Sequence, residues 1–161
     1  MKRIALLAVA AALLLAAPAS AFDANDLAKF LPDTLGGLKA TAKADTLSMT
    51  IQDKRVLHAS RKYAAGDQKM TVMIRAGGYT VQMAASIKMK IALENNHMIL
   101  KPITVQGNPG QLVVQKDNKQ VSVRVQVGDK LIITRAENTV DPATTLKVLG
   151  DMKLKDLAAL K

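Results

Sequence analysis

The chain has 161 residues, no cysteine, and 23 Lys and Arg against 13 Asp and Glu, a formal charge of +10. The missing cysteines exclude disulfides, thiolate catalysis, c-type haem attachment and cysteine-ligated zinc or iron–sulfur centres at once. A basic balance favours acidic partners, such as anionic lipid headgroups, acidic polymers or acidic proteins, or else serves only to keep a sheet protein soluble.

Residues 1–21 read as an export signal. Lys2 and Arg3 give a positive start, Ile4 to Ala16 is unbroken apolar sequence, Pro18 follows, and Ala19-Ser20-Ala21 offers a small-x-small cleavage pattern. The apolar run is shorter than the roughly 20 residues of a spanning helix, and no later run approaches that length. The expected product is therefore periplasmic or secreted after cleavage near Ala21, with no transmembrane anchor. Residues 22–161 remain, enough for a single α+β domain with its own core.

Next along the chain, Asn25 or Asp23 can cap a short helix carrying Leu27, Phe30 and Leu31, which Pro32 closes. Leu35-Gly36-Gly37-Leu38 is a turn with apolar flanks, and residues 46–51 suggest a strand in a stretch otherwise hard to read. Val56 to Ala64 and Gln68 to Ala76 are strands around an Ala65-Gly66-Asp67 turn. In the second of these, Met70, Val72, Ile74 and Ala76 share one face, and Lys69, Thr71, Met73 and Arg75 the other. Residues 79–93 fit both a period of two and a helical arc, and their Met, Ala, Lys and Leu content decides for helix.

Four strands are expected over residues 98–136, with a turn over Gly107-Asn108-Pro109-Gly110, a second at Asp117-Asn118 and a third at Gly128-Asp129. Val121, Val123, Val125 and Val127 point one way, and Ser122, Arg124 and Gln126 the other. Asp141-Pro142 starts a helix that Gly150 ends, and Asp151 can cap another with Leu154, Leu157 and Leu160. The expected fold is α+β, a single antiparallel sheet, largely meander, with helices packed on one face and the basic face in water.

The chemistries that remain are few. After residue 21 the methionines are scattered, His97-Met98 is the only adjacent soft pair, and no HxH or HxxxH spacing exists, so no metal and no cofactor are expected. His58 and His97 lack a G-x-S-x-G elbow. The acids fall mostly in turns and at helix starts, which weakens a paired-carboxylate reading. Aromatic residues are too few for stacking on bases, and no nucleic-acid partner is expected, although Tyr63 beside Arg61 and Lys62 has the right composition.

Residues 54–101 hold nine cations and two acids. The leading expectation is thus a non-catalytic envelope module, binding or structural, whose cationic sheet face, carrying Lys69, Arg75 and Arg124, meets an anionic envelope component or acidic protein. The alternative is a small hydrolase-like enzyme with a site assembled around His58 or His97. Self-association through an edge strand is a third, weaker expectation.

On Leu31-Pro32 with Leu35 to Leu38, the Gly107 to Gly110 turn, the Val121 to Val127 strand, and Asp156-Leu157 with Leu160, the chain resembles a loose group of small exported bacterial (periplasmic) proteins of unassigned function. That resemblance implies an α+β envelope domain and supplies no catalytic residues.

Overall fold

Alternation in residues 121–136 becomes a hairpin in the computed structural model, which describes residues 22–161 except 79 and 140. The expected leader lies outside the described residues. In chain order the elements are α1 (Ala24–Ala28), β1 (Thr34–Leu35), β2 (Leu38–Ala40), β3 (Asp45–Ile51), β4 (Lys54–Ala65), β5 (Gln68–Gly77) and α2 (Thr80–Lys88). There follow β6 (Leu93–Glu94), β7 (Met98–Val105), β8 (Asn108–Gln115), β9 (Gln120–Val127), β10 (Lys130–Glu137), α3 (Ala143–Asp151) and α4 (Leu154–Ala159).

The strands form an antiparallel sheet in the order β1-β2-β4-β5-β10-β9-β8-β7-β6. β3 and β2 lie along different stretches of the same β4 edge. The chain leaves β5, crosses one face as α2, and then returns strand by strand from β6 to β10, which closes against β5. Largely meander is thus the right description, with one crossover.

Register separates the two faces. Ile74, Ile132 and Val125 are paired across three strands, as are Val72, Thr134 and Val123, so they share the first face. All six are fully buried. This face packs under Leu27 of α1 and Leu31 just after it, Val148 and Leu149 of α3, and Leu154 and Leu157 of α4. Each such apolar side chain contributes roughly 1.5–3 kcal/mol on burial, so this layer dominates stability.

The second face is not simply wet. Ala84 and Ile87 of α2 pack on Leu131 and Ile133, which alternate with Ile132 and therefore point the opposite way. Helices packed on one face is thus corrected for α2. Strand periodicity reports which residues share a face, but not on which face a crossover helix lands.

Local chemistry explains the boundaries. Asp23 accepts from the amides of Asn25 and Asp26 while Asp26 accepts from the Asp23 amide, a reciprocal cap that starts α1. Asp141 accepts from Ala143 N at 2.9 Å at the start of α3. Gln106 Nε2 lies 2.8–3.0 Å from the Leu149, Gly150 and Met152 carbonyls at the other end of α3, satisfying groups a helix leaves open.

Three expected boundaries move. The helix expected over 79–93 stops at Lys88, beyond which Lys90 takes φ +48° and Met89 and Ile91 are exposed. The turn expected over Gly107 to Gly110 is tighter. Gln106 and Gly107 form it with φ +48° and +80°, as a two-residue hairpin requires, and Asn108 already belongs to β8. Asp151 caps nothing in α4: it is the last residue of α3, and α4 starts without a side-chain cap.

Lys130, on the first face opposite Ala76 and Val127, is buried. Its Nζ donates to the Leu160 carbonyl at 2.7 Å, pairs with Asp129 at 2.6 Å, and sits 4.9 Å from the Phe22 ring centroid. A buried ammonium is tolerated only with such partners. One lysine therefore ties both ends of the described chain to the β9–β10 hairpin.

Candidate functional site

The second face carries the cationic candidates. Arg75 in β5 faces Leu131 in β10, and Met73 faces Ile133, which in turn faces Arg124 in β9. Arg75 and Arg124 therefore lie on one side of the sheet, diagonally across β10. Arg135 joins them, because it pairs with Thr71 and Ser122 on that same side. The three arginines line a concavity of about 300 Å³ with Met73, Met83, Ile133 and Glu137.

Their electrostatic situation is unusual. Among the described residues, none of the three has a carboxylate within ion-pair distance. Arg75 Nη1 instead meets the thioether of Met83 at 3.6 Å, a weak acceptor. Glu137, at the rim, is the one carboxylate among the lining residues.

An apolar trough adjoins this concavity. Leu47 faces His58 and Met49 faces Val56 across β3 and β4, and His58 faces Arg75 across β4 and β5. These residues and Ile51 form one wall and the floor, and Thr80 and Met83 of α2 the other wall, around about 340 Å³. Leu47, Met49, Ile51 and Met83 remain 47, 37, 40 and 42% exposed, so the trough is a contiguous apolar surface left in water. Arg75 and Met83 line both spaces. The β3–β4 hairpin that carries this stripe closes through a turn with Gln52 and Asp53 at φ +47° and +58°.

His58 sits in the trough. Burial above all, and then the Arg75 charge, push its pKa below the ordinary 6.5, against a smaller opposing pull from Asp45. Its ring is therefore neutral at neutral pH. No nucleophile or carboxylate is hydrogen-bonded to it among the described residues. His97 is exposed, and its Nδ1 lies 2.9 Å from Asp117 Oδ2, at the end of the β7–β8 pair where β7 begins and β8 finishes. The two histidines are not brought together. No group of three His, Asp or Glu with metal-holding geometry occurs among the described residues.

Other expected residues separate. Lys69 shares the second face and faces Glu137 at the opposite end of β5, in a neighbouring concavity with Lys62 that shares Thr71 and Glu137 with the arginine one. Arg61 and Tyr63 point to the first face, opposite Val72 and Met70. Arg61 donates to the carbonyls of Ala42 and Leu31 at 2.9 and 2.7 Å and pairs with Asp33. Tyr63 donates to Pro32 O at 2.9 Å, and burial pushes its hydroxyl pKa up to about 12. Both pin the segment after α1, so neither belongs to a cationic surface.

Sequence reasoning missed Arg135, Met83 and the Leu47-Met49-Ile51 stripe. Alternation does carry the first, since Leu131, Ile133, Arg135 and Glu137 have a period of two. Comparison of the chain with protein-family models, curated proteins and solved structures finds no match.

Proposed function

We propose that this chain is a non-catalytic binding module of the cell envelope that takes an anionic partner where Arg75, Arg124 and Arg135 converge. The carrying observation is three guanidinium groups in one concavity without carboxylate partners, on a face that α2 covers only in part. A guanidinium presents a planar fork of donors suited to carboxylate and phosphate oxygens. Its neighbours Met73, Met83 and Ile133 reduce local hydration, which strengthens such contacts. The envelope address rests on the leader expected over residues 1–21 and on the resemblance to exported proteins.

The test uses a charge-matched pair of variants. One replaces Arg75, Arg124 and Arg135 with Gln, and the other replaces Lys147, Lys153 and Lys155 with Gln. Both lose three positive charges, so a response to net charge alone is the same in each. Binding to poly-L-glutamate across a salt series is expected to fall about tenfold or more further in the arginine variant. Equal losses in the two variants would reject the concavity as a site.

A further inference from the structure

We infer that the apolar trough and the arginine concavity form one site for a monomeric, single-chain amphiphile with an anionic head, its tail along Leu47, Met49 and Met83 and its head at Arg75 and Arg124. This inference rests on the reading that the arginines take an anion, and it adds what the anion is attached to.

Continuity carries the first part. Arg75 and Met83 line both spaces and touch each other at 3.6 Å, so the two spaces adjoin at this pair, and a head group held by Arg75 borders the trough. The chemistry is graded along that line: aliphatic side chains at the β3 end, a neutral imidazole at His58, then guanidinium groups. A ligand complementary to it is apolar at one end and negative at the other. A neutral aliphatic molecule leaves the arginines unused, and a small hydrophilic anion leaves the trough in water.

Size and direction exclude broader occupants. The trough, about 340 Å³, lies at the small end of ligand sites, which run roughly 300–1,000 Å³, so it suits one chain rather than a two-tailed lipid. A peptide strand or a second copy could instead pair with the outer edge of β3, which hydrogen-bonds to β4 alone in the sheet. Such a strand lies beyond β3, on the side away from Arg75, whereas the trough runs over β3, β4 and β5. It leaves the cavity unfilled.

The experiment is isothermal titration calorimetry of the purified protein with dodecanoate and dodecyl phosphate below their micelle concentrations. Dodecyltrimethylammonium, hexanoate and poly-L-glutamate serve as comparisons. Both anionic amphiphiles are expected to bind with one per chain, and the cationic one and hexanoate at least about tenfold more weakly. Leu47→Ser with Met49→Ser, at exposed positions and without a change of charge, is expected to weaken dodecanoate binding at least about tenfold and spare poly-L-glutamate. Arg75→Gln should weaken both. Unchanged thermal unfolding midpoints establish that the variants fold.

Equal affinity for the cationic amphiphile, or full dodecanoate binding by the Leu47/Met49 variant, overturns the inference. So does a protein that sediments as a dimer with the trough closed to dodecanoate, or one that binds only anionic vesicles. If poly-L-glutamate binds through the arginines while dodecanoate does not, the amphiphile fails and the anionic-partner reading stands. If neither binds through the arginines, both fall.

Discussion

Arg61 and Arg75 sit on neighbouring strands and point to opposite faces of one sheet. Arg61, nearly buried, has each of its donor nitrogens matched: two backbone carbonyls and the Asp33 carboxylate. Arg75 has a thioether. The same contrast runs through the faces themselves. The first is sealed by three helices over valine and isoleucine rows at zero exposure. On the second, α2 buries a small cluster of Ala84, Ile87 and Leu131 and leaves an apolar stripe in water. A charged group whose hydrogen bonds are all internal contributes to the fold, while one left without partners beside exposed apolar surface is available to something else.

Substitutions on the two faces should therefore differ in kind. Ile74→Ala empties part of the sealed layer and is expected to cost about 2–5 kcal/mol, whereas Met49→Ala in the trough should cost below about 1 kcal/mol. Chemical denaturation measures both, and similar losses would remove the distinction. Next in size, Arg61→Met should destabilise by about 1–3 kcal/mol, since it strands the part-buried Leu31 carbonyl, while Arg75→Met should be close to neutral. A large stability loss from Arg75→Met would mean that the second face is structural after all.

The smallest effect concerns pH. Burial and Arg75 hold the folded pKa of His58 below 6.5, so as pH falls the unfolded chain takes up this proton first. The stability linked to neutral His58 is complete above the ordinary histidine range and is lost as pH falls through the folded value. Thermal unfolding between about pH 7.5 and pH 5 should thus weaken less in His58→Gln than in the parent. A bound anion at Arg75 would offset the arginine's effect and move that transition upward. Identical pH profiles for variant and parent would remove His58 from the electrostatics of the trough.

Much of the first face is legible in the sequence, because a strand with one buried side must alternate and β9 does so without exception. Hairpins with Gly66 and Gly128 are legible for the same local reason. What escapes is long-range. Leu47, Met49 and Ile51 also alternate, yet with Thr and Ser between them they resemble any exposed edge, and nothing local says that α2 settles across the sheet to wall them in. Arg75 and Arg124 could be assigned outward-facing positions from periodicity, but their proximity depends on β10 lying between β5 and β9. Arg61 misled for the converse reason: its strand neighbours suggest a basic surface, and only the fold supplies Leu31, Ala42 and Asp33 as partners. Lys130 follows a polar turn and is buried against Leu160 and Phe22, partners that only the fold supplies.

The methionines offer a direct test, since they mark both faces: Met49 and Met83 line the trough, while Met70 and Met152 are buried in the sealed layer. Titration of methyl-labelled protein with submicellar dodecanoate, followed by NMR, should shift the Met49 and Met83 methyl signals and leave Met70 and Met152 in place. Signals that stay fixed throughout, or that move first at Met70 and Met152, would contradict the assignment of binding to the α2 face.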